Sequence, residues 1–91
     1  MRYPYNNDPS RELQVYPNPA EESVSVSGLK ANEEYKVLVL NSLGMTVLPE
    51  TTAQSNLLGE IPIEIGELRA GLYFIQVKGQ STSMTAKFVK Q

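Results

Sequence analysis

Leu72-Tyr73-Phe74-Ile75-Gln76-Val77, then Gly79-Gln80-Ser81, then Thr82 to Lys90, is the stretch whose reading decides the fold. Strand side chains alternate with period two, so Leu72, Phe74 and Gln76 point one way and Tyr73, Ile75 and Val77 the other. The second set is apolar throughout and belongs in a core. The first turns polar as it reaches Gln76 and Lys78. Gly79-Gln80-Ser81 supplies a turn, and Thr82–Lys90 the returning strand of a β-hairpin. Gly71, just ahead of the hairpin, suits a positive φ, where a Cβ would clash. The charge changes sign here as well. Residues 1–67 carry four basic and ten acidic side chains, net −6, whereas residues 68–91 carry Arg69, Lys78, Lys87 and Lys90 with no acid, net +4.

The chain upstream reads in the same language. Ile61, Ile63 and Ile65 alternate with Pro62 and Glu64, and a proline that cannot donate to a ladder places that strand at an edge. Tyr35–Leu40 is apolar on both faces apart from Lys36, which suits a central strand. Asn41-Ser42-Leu43-Gly44 reads as a four-residue hairpin loop with Gly44 in the left-handed position. Met45–Leu48 returns antiparallel and Pro49 closes it, while residues 50–58 carry no strong signal. Ser23-Val24-Ser25-Val26-Ser27 alternates strictly, with the valines facing in. The first strand is Arg11–Tyr16, stopped by Tyr16-Pro17-Asn18-Pro19. Neither proline can donate to a ladder there, and Tyr16 and Asn18 are each held extended by the proline that follows. Prolines beside a strand end also block edge-to-edge pairing. Residues 1–10, with two prolines and no periodicity, read as a linker from an upstream segment; residues 11–91 form the domain.

No i, i+3, i+4 apolar stripe runs for ten residues, so no helix is expected. Seven short strands punctuated by turns predict an all-β fold, a seven-stranded antiparallel two-sheet sandwich that is immunoglobulin-like in the broad sense. The Trp and Cys hallmarks of antibody domains are missing, and a small barrel is the alternative.

Composition narrows the function. Ninety-one residues make one domain, with 41% hydrophobic and 20% charged residues, near globular averages. A net charge of −2 gives no electrostatic support for nucleic acid. The chain contains neither histidine nor cysteine, which removes most nucleophilic, acid–base and transition-metal arrangements. Glu21-Glu22 and Glu33-Glu34 fall in expected loops and read as solvated surface. No Asp-x-Asp spacing offers a calcium loop, and no glycine loop cradles a phosphate. No catalysis, metal or cofactor is expected. The longest purely apolar runs, Val37–Leu40 and Leu72–Ile75, are far shorter than the ~20 residues of a spanning helix. Residues 1–5 offer no apolar signal-peptide core, so the expectation is a cytosolic protein or a piece of a longer precursor.

Three stretches together resemble a known family. Val15-Tyr16-Pro17-Asn18-Pro19-Ala20 is similar to its opening motif. Leu68-Arg69-Ala70-Gly71-Leu72-Tyr73-Phe74-Ile75-Gln76-Val77 is similar to its Leu-x-x-Gly-hydrophobic-Tyr strand. Thr85-Ala86-Lys87-Phe88-Val89-Lys90-Gln91 is similar to its closing Lys-hydrophobic-hydrophobic-Lys strand, and Leu43-Gly44-Met45-Thr46-Val47 to its central glycine hairpin. The family is the type A C-terminal sorting domain of the type IX (Por) secretion system of Gram-negative bacteria. Arg69 departs from it where proline is frequent.

The resemblance implies a domain at the end of a secreted cargo protein that folds in the periplasm and is recognised by an outer-membrane translocon or shuttle. It implies removal by a sortase-like peptidase, with the cargo left on the cell surface or secreted. It implies no membrane-spanning segment, no nucleic-acid partner and no catalysis. The candidate recognition residues are Gly71, Tyr73, Lys87, Phe88, Val89 and Lys90, with Tyr16, Pro17, Asn18, Pro19 and Gly44 as the structural motif. A basic last strand with exposed Lys87 and Lys90 would be held by an acidic groove, main-chain pairing giving affinity and charge giving register. The competing reading makes these lysines guards of a sheet edge. An adhesive or spacer module and a weak carbohydrate-binding module also stay open.

Overall fold

The computed structural model describes residues 13–91. The expected linker, residues 1–10, and Arg11 and Glu12 of the expected first strand lie outside the described residues. Seven strands follow in chain order: β1 (Gln14–Tyr16), β2 (Ser23–Ser27), β3 (Glu34–Asn41), β4 (Thr46–Gln54), β5 (Ile61–Glu64), β6 (Gly71–Lys78) and β7 (Ser83–Lys90). Every pairing between strands is antiparallel, in one sheet of order β1-β2-β5 and another of order β4-β3-β6-β7. The expected two-sheet sandwich is the fold found, with no helix among the described residues.

Alternation decides what is buried. Val24 and Val26 of β2, Val37 and Val39 of β3, and Tyr73, Ile75 and Val77 of β6 all enter one core, joined by Phe88 of β7. Ile75, Val77, Val26 and Phe88 are fully inaccessible to solvent. β3 occupies the central position that its two apolar faces predict, between β4 and β6. β5, with Pro62 opposite Ser25, is an edge strand as its proline requires.

Two boundaries differ from expectation. β4 does not close at Pro49 but runs on to Gln54, so Thr51, Thr52 and Ala53 pair with Val37, Lys36 and Tyr35. The proline is accommodated because Val39 pairs with Leu48 while Val37 pairs with Thr51, leaving one residue of β3 opposite Pro49 and Glu50. A bulge on an edge strand tolerates a missing amide donor. β6 begins at Gly71, one residue earlier than expected, and Gly71 has the positive φ expected of it, +156°.

Two of the three loops that cross between the sheets, β2–β3 and β4–β5, are laced together. Ser55, almost fully buried, accepts the Glu33 amide at 3.0 Å, and its hydroxyl donates to the Lys30 carbonyl. Leu29 donates to the Gly59 carbonyl at 3.1 Å, and Asn32 to the Asn56 carbonyl at 3.3 Å. Gly59 has φ of +73°, and a Cβ there would stand 2.0 Å from the Leu29 carbonyl oxygen. Gly44, in the β3–β4 turn, has φ of +86° but nothing within 4 Å. Asn41 and Asn56 build these two turns alike. Each Oδ1 accepts two amides, those of Leu43 and Met45 for Asn41 and those of Leu58 and Glu60 for Asn56.

Substitutions at these glycines should therefore separate. In denaturant titrations Gly44→Ala is expected to cost about 1 kcal/mol, from the dihedral alone. Gly59→Ala should cost clearly more, because backbone must shift. Phe88→Ala should cost about 3–5 kcal/mol, as full burial requires. Leu57→Ala, at an exposed loop position, should stay within about 0.5 kcal/mol. Equal costs at the two glycines would contradict the close approach to Leu29.

Candidate functional site

The site is built around the outer side of β7. In an antiparallel ladder, alternate residues turn their backbone groups toward or away from the partner strand. β6 takes one side of β7 from Gly71–Lys90 to Lys78–Ser83. On the other side, the opening motif reaches across from the start of the chain. The Val89 amide donates to Asn18 Oδ1 at 3.0 Å, the Ala20 amide donates to the Val89 carbonyl at 2.8 Å, and the Gln91 amide donates to the Ala20 carbonyl at 2.8 Å. Ala20 and Lys90 form a parallel bridge. Pro17 and Pro19 follow cis peptide bonds and flank the asparagine that makes the contact. Ala20 is fully buried beside this bridge.

The two ends of the motif pattern thus meet. The structure brings Asn18 and Ala20 onto Val89 and Gln91, so the prolines do more than stop β1. They frame a short extended segment that closes part of the last strand's edge. Towards its start β7 has no strand on that side among the described residues. An open groove of about 610 Å³ lies there, lined by Val15, Tyr16, Asn18, Phe74, Thr85 and Lys87 among others.

Two of the four expected residues on β7 sit otherwise than a flat exposed strand would place them. Lys87 is exposed and Val89 is 42% exposed, but Phe88 is fully buried and Lys90 is only 8% exposed. The expectation that Lys87 and Lys90 are both displayed is corrected by strand geometry, because a spacing of three puts two side chains on opposite faces. Lys90 shares the inner face with Phe88, and its Nζ donates to the Gln91 carbonyl oxygen at 2.9 Å. Tyr73 is buried too. Its ring stacks on Phe88, centroids 5.6 Å apart and planes 22° from parallel. Its hydroxyl donates to the Arg69 carbonyl at 2.6 Å and so fixes the loop that feeds β6. Gly71 stands opposite Lys90 and Asn41 opposite Tyr73, which gathers Gly71, the Gly44 turn and the Asn18–Val89 contact at one end of the four-stranded sheet.

Asn18 as a ligand of the last strand and Ser55 as the pin between loops are the two functional side chains that sequence reasoning misses. An asparagine held between two prolines was the available signal for the first. For the second there was none, since Ser55 lies in the stretch without pattern. Among the described residues, no group of three metal-binding side chains comes together, and no helix is long and apolar enough to cross a membrane.

Tyr16 adds one titrating contact. Its hydroxyl donates to the Glu60 carboxylate, tying β1 to the segment before β5. The hydrogen bond to Glu60, followed by reduced hydration and the Glu60 charge, raises the Tyr16 pKa above the usual 10.0. A raised tyrosine pKa favours the protonated form in the fold, so this contribution is whole below the unfolded value and is lost as pH rises through the folded one. In ultraviolet titration Tyr16 is expected to ionise after a free tyrosine, and Glu60→Gln should bring its midpoint down. An unchanged midpoint in Glu60→Gln would refute the contact.

A search of curated proteins finds no match. The family described as "Secretion system C-terminal sorting domain" matches residues 14–91, which takes in the opening motif, the glycine hairpin and the closing strand. The chain belongs to that family and carries a C-terminal secretion signal for type IX secretion.

Proposed function

We propose that the domain is read by the type IX machinery as a folded object, and that it acts as an address label without catalysis of its own. The translocon or its shuttle recognises the end of the four-stranded sheet where the opening motif and β7 meet. The observation that carries this reading is the closure of β7 by Asn18 and Ala20, which joins the two motifs of the matched region into one surface. Lys87 and Val89 are the members of the candidate set placed to touch a receptor directly. Tyr73, Phe88 and Lys90 shape the strand that presents them, and Gly71 begins its partner.

Residues 1–10 join the domain to cargo ahead of it, residues 11–91 form the signal, and a sortase-like peptidase cuts in the joining segment. The cargo passes through the periplasm and ends at the cell surface or outside the cell. The composition of that segment, with two prolines and no periodicity, suits a linker. Main-chain capture by a receptor strand is confined to the part of β7 before Val89, because beyond it the outer side is occupied.

A reporter carrying a secretory leader at its front and residues 1–91 at its back tests this in a bacterium with type IX machinery. The reporter is expected at the cell surface or in the medium. Mass spectrometry should find it cut within residues 1–12. Retention in the periplasm, or equal delivery of the reporter without residues 1–91, would overturn the assignment.

A further inference from the structure

The two outer faces of the sandwich differ in chemistry. On the three-stranded sheet, β2 turns Ser23, Ser25 and Ser27 outward, β5 turns Pro62 and Glu64 outward, and Glu21, Glu22, Glu60 and Glu67 flank the strands. On the four-stranded sheet, register and alternation set out another pattern. Leu72 stands beside Val89; Leu40 beside Phe74 and then Lys87; Leu38 beside Gln76 and then Thr85; Lys36 beside Lys78 and then Ser83. β4 adds Thr46 next to Leu40 and Thr52 next to Lys36. Apolar side chains thus fill one end of this face, where Lys87 borders them, and Lys36 and Lys78 hold the other end. The rows of Lys36, Lys78 and Lys87 hold no carboxylate; Glu50 lies in the β4 bulge opposite Leu38, and Glu34 one row beyond Lys36, opposite Gln54.

We infer that this face is the docking surface through which the sorting signal meets its receptor, and that the receptor presents an acidic protein surface with an apolar patch at one end. The inference rests on the sorting reading and names the partner's chemistry. Charge complementarity selects the occupant, since Lys36, Lys78 and Lys87 lie on one face with no acid in their rows. A second copy docking face to face would set lysines against lysines. A lipid surface is a poor fit because the apolar groups do not project: Leu72 and Val89 are 41% and 42% exposed, and Leu38, Leu40 and Phe74 are half-buried. Membrane binding by an amphipathic face requires apolar groups that sink into the acyl boundary. Half-buried side chains bordered by lysines suit a flat protein surface instead.

Size fits the task. Three strands of eight residues cover about 26 Å by about 15 Å, roughly 400 Å², which is below a standard stable interface and in the range of transient encounters. A label that is recognised and then released needs that kind of contact.

The test uses the reporter fusion above, with delivery measured for Lys36→Glu/Lys78→Glu/Lys87→Glu, for the same three positions changed to Arg, and for Lys30→Glu/Arg69→Glu off this face. Circular dichroism melting verifies that each variant folds. The inference expects the Glu triple to fold and to lose about tenfold or more in delivery, while the Arg triple and the off-face pair deliver as wild type. Wild-type delivery by the folded Glu triple would overturn it and leave the sorting reading intact. Retention of the wild-type fusion would overturn the sorting reading and this inference with it. Lysine-dependent binding of the domain to phosphatidylglycerol–phosphatidylcholine vesicles, or a lysine-dependent dimer in sedimentation, would assign the face to lipid or to a second copy and overturn the protein partner.

Discussion

Closure of the last strand's edge by the opening motif is the contact on which the organisation of this domain depends. Its two sheets are small, three strands and four, and hydrophobic packing alone would let them slide or splay. Three main-chain-directed hydrogen bonds at 2.8–3.0 Å tie Asn18 and Ala20 to Val89 and Gln91. Each bond contributes about 1 kcal/mol net, but their placement matters more than their sum. They link residues some seventy positions apart, define where β7 stops accepting partners, and hold Phe88 in register over Tyr73. A sheet edge left open along its whole length would invite pairing with any extended chain; this one is shut at one end and lysine-marked at Lys87.

The same contact explains how the domain can be both a separate folding unit and a signal. Its fourteen buried apolar side chains make a core without help from cysteine, metal or helix among the described residues. The features that set it apart from any small sandwich lie outside that core, in the proline-framed asparagine, the stacked Tyr73–Phe88 pair and the uneven charge of the two faces. On the proposed reading, recognition is a property of surface and edge, resting on a core that many sequences could fill.

Much of this was legible in the chain. Period-two patterning placed Val24, Val26, Tyr73, Ile75 and Val77 correctly inside, and the proline at position 62 put β5 at an edge. Asn41 to Gly44 was readable as a turn because alternating apolar residues flank it. Asn56 to Gly59 makes the same turn from nearly the same residues, yet its polar surroundings hid it, and with it the second half of β4. Lys90 was misjudged because charge suggests exposure, whereas the strand's parity turns it inward beside Phe88. Asn18 went unread because a side chain that satisfies a strand seventy residues away leaves no periodic trace. What local pattern cannot carry is long-range main-chain satisfaction, and that is where the site resides.

Amide hydrogen exchange at Val89 examines the edge closure most directly. The account predicts a protected Val89 amide in the wild-type domain. In Asn18→Ala that amide should exchange at least about tenfold faster, as loss of one hydrogen bond implies, while Ile75 in the core stays protected. A Val89 amide that exchanges at the same rate with and without the Asn18 side chain would contradict the account, whatever the stability of the rest of the fold.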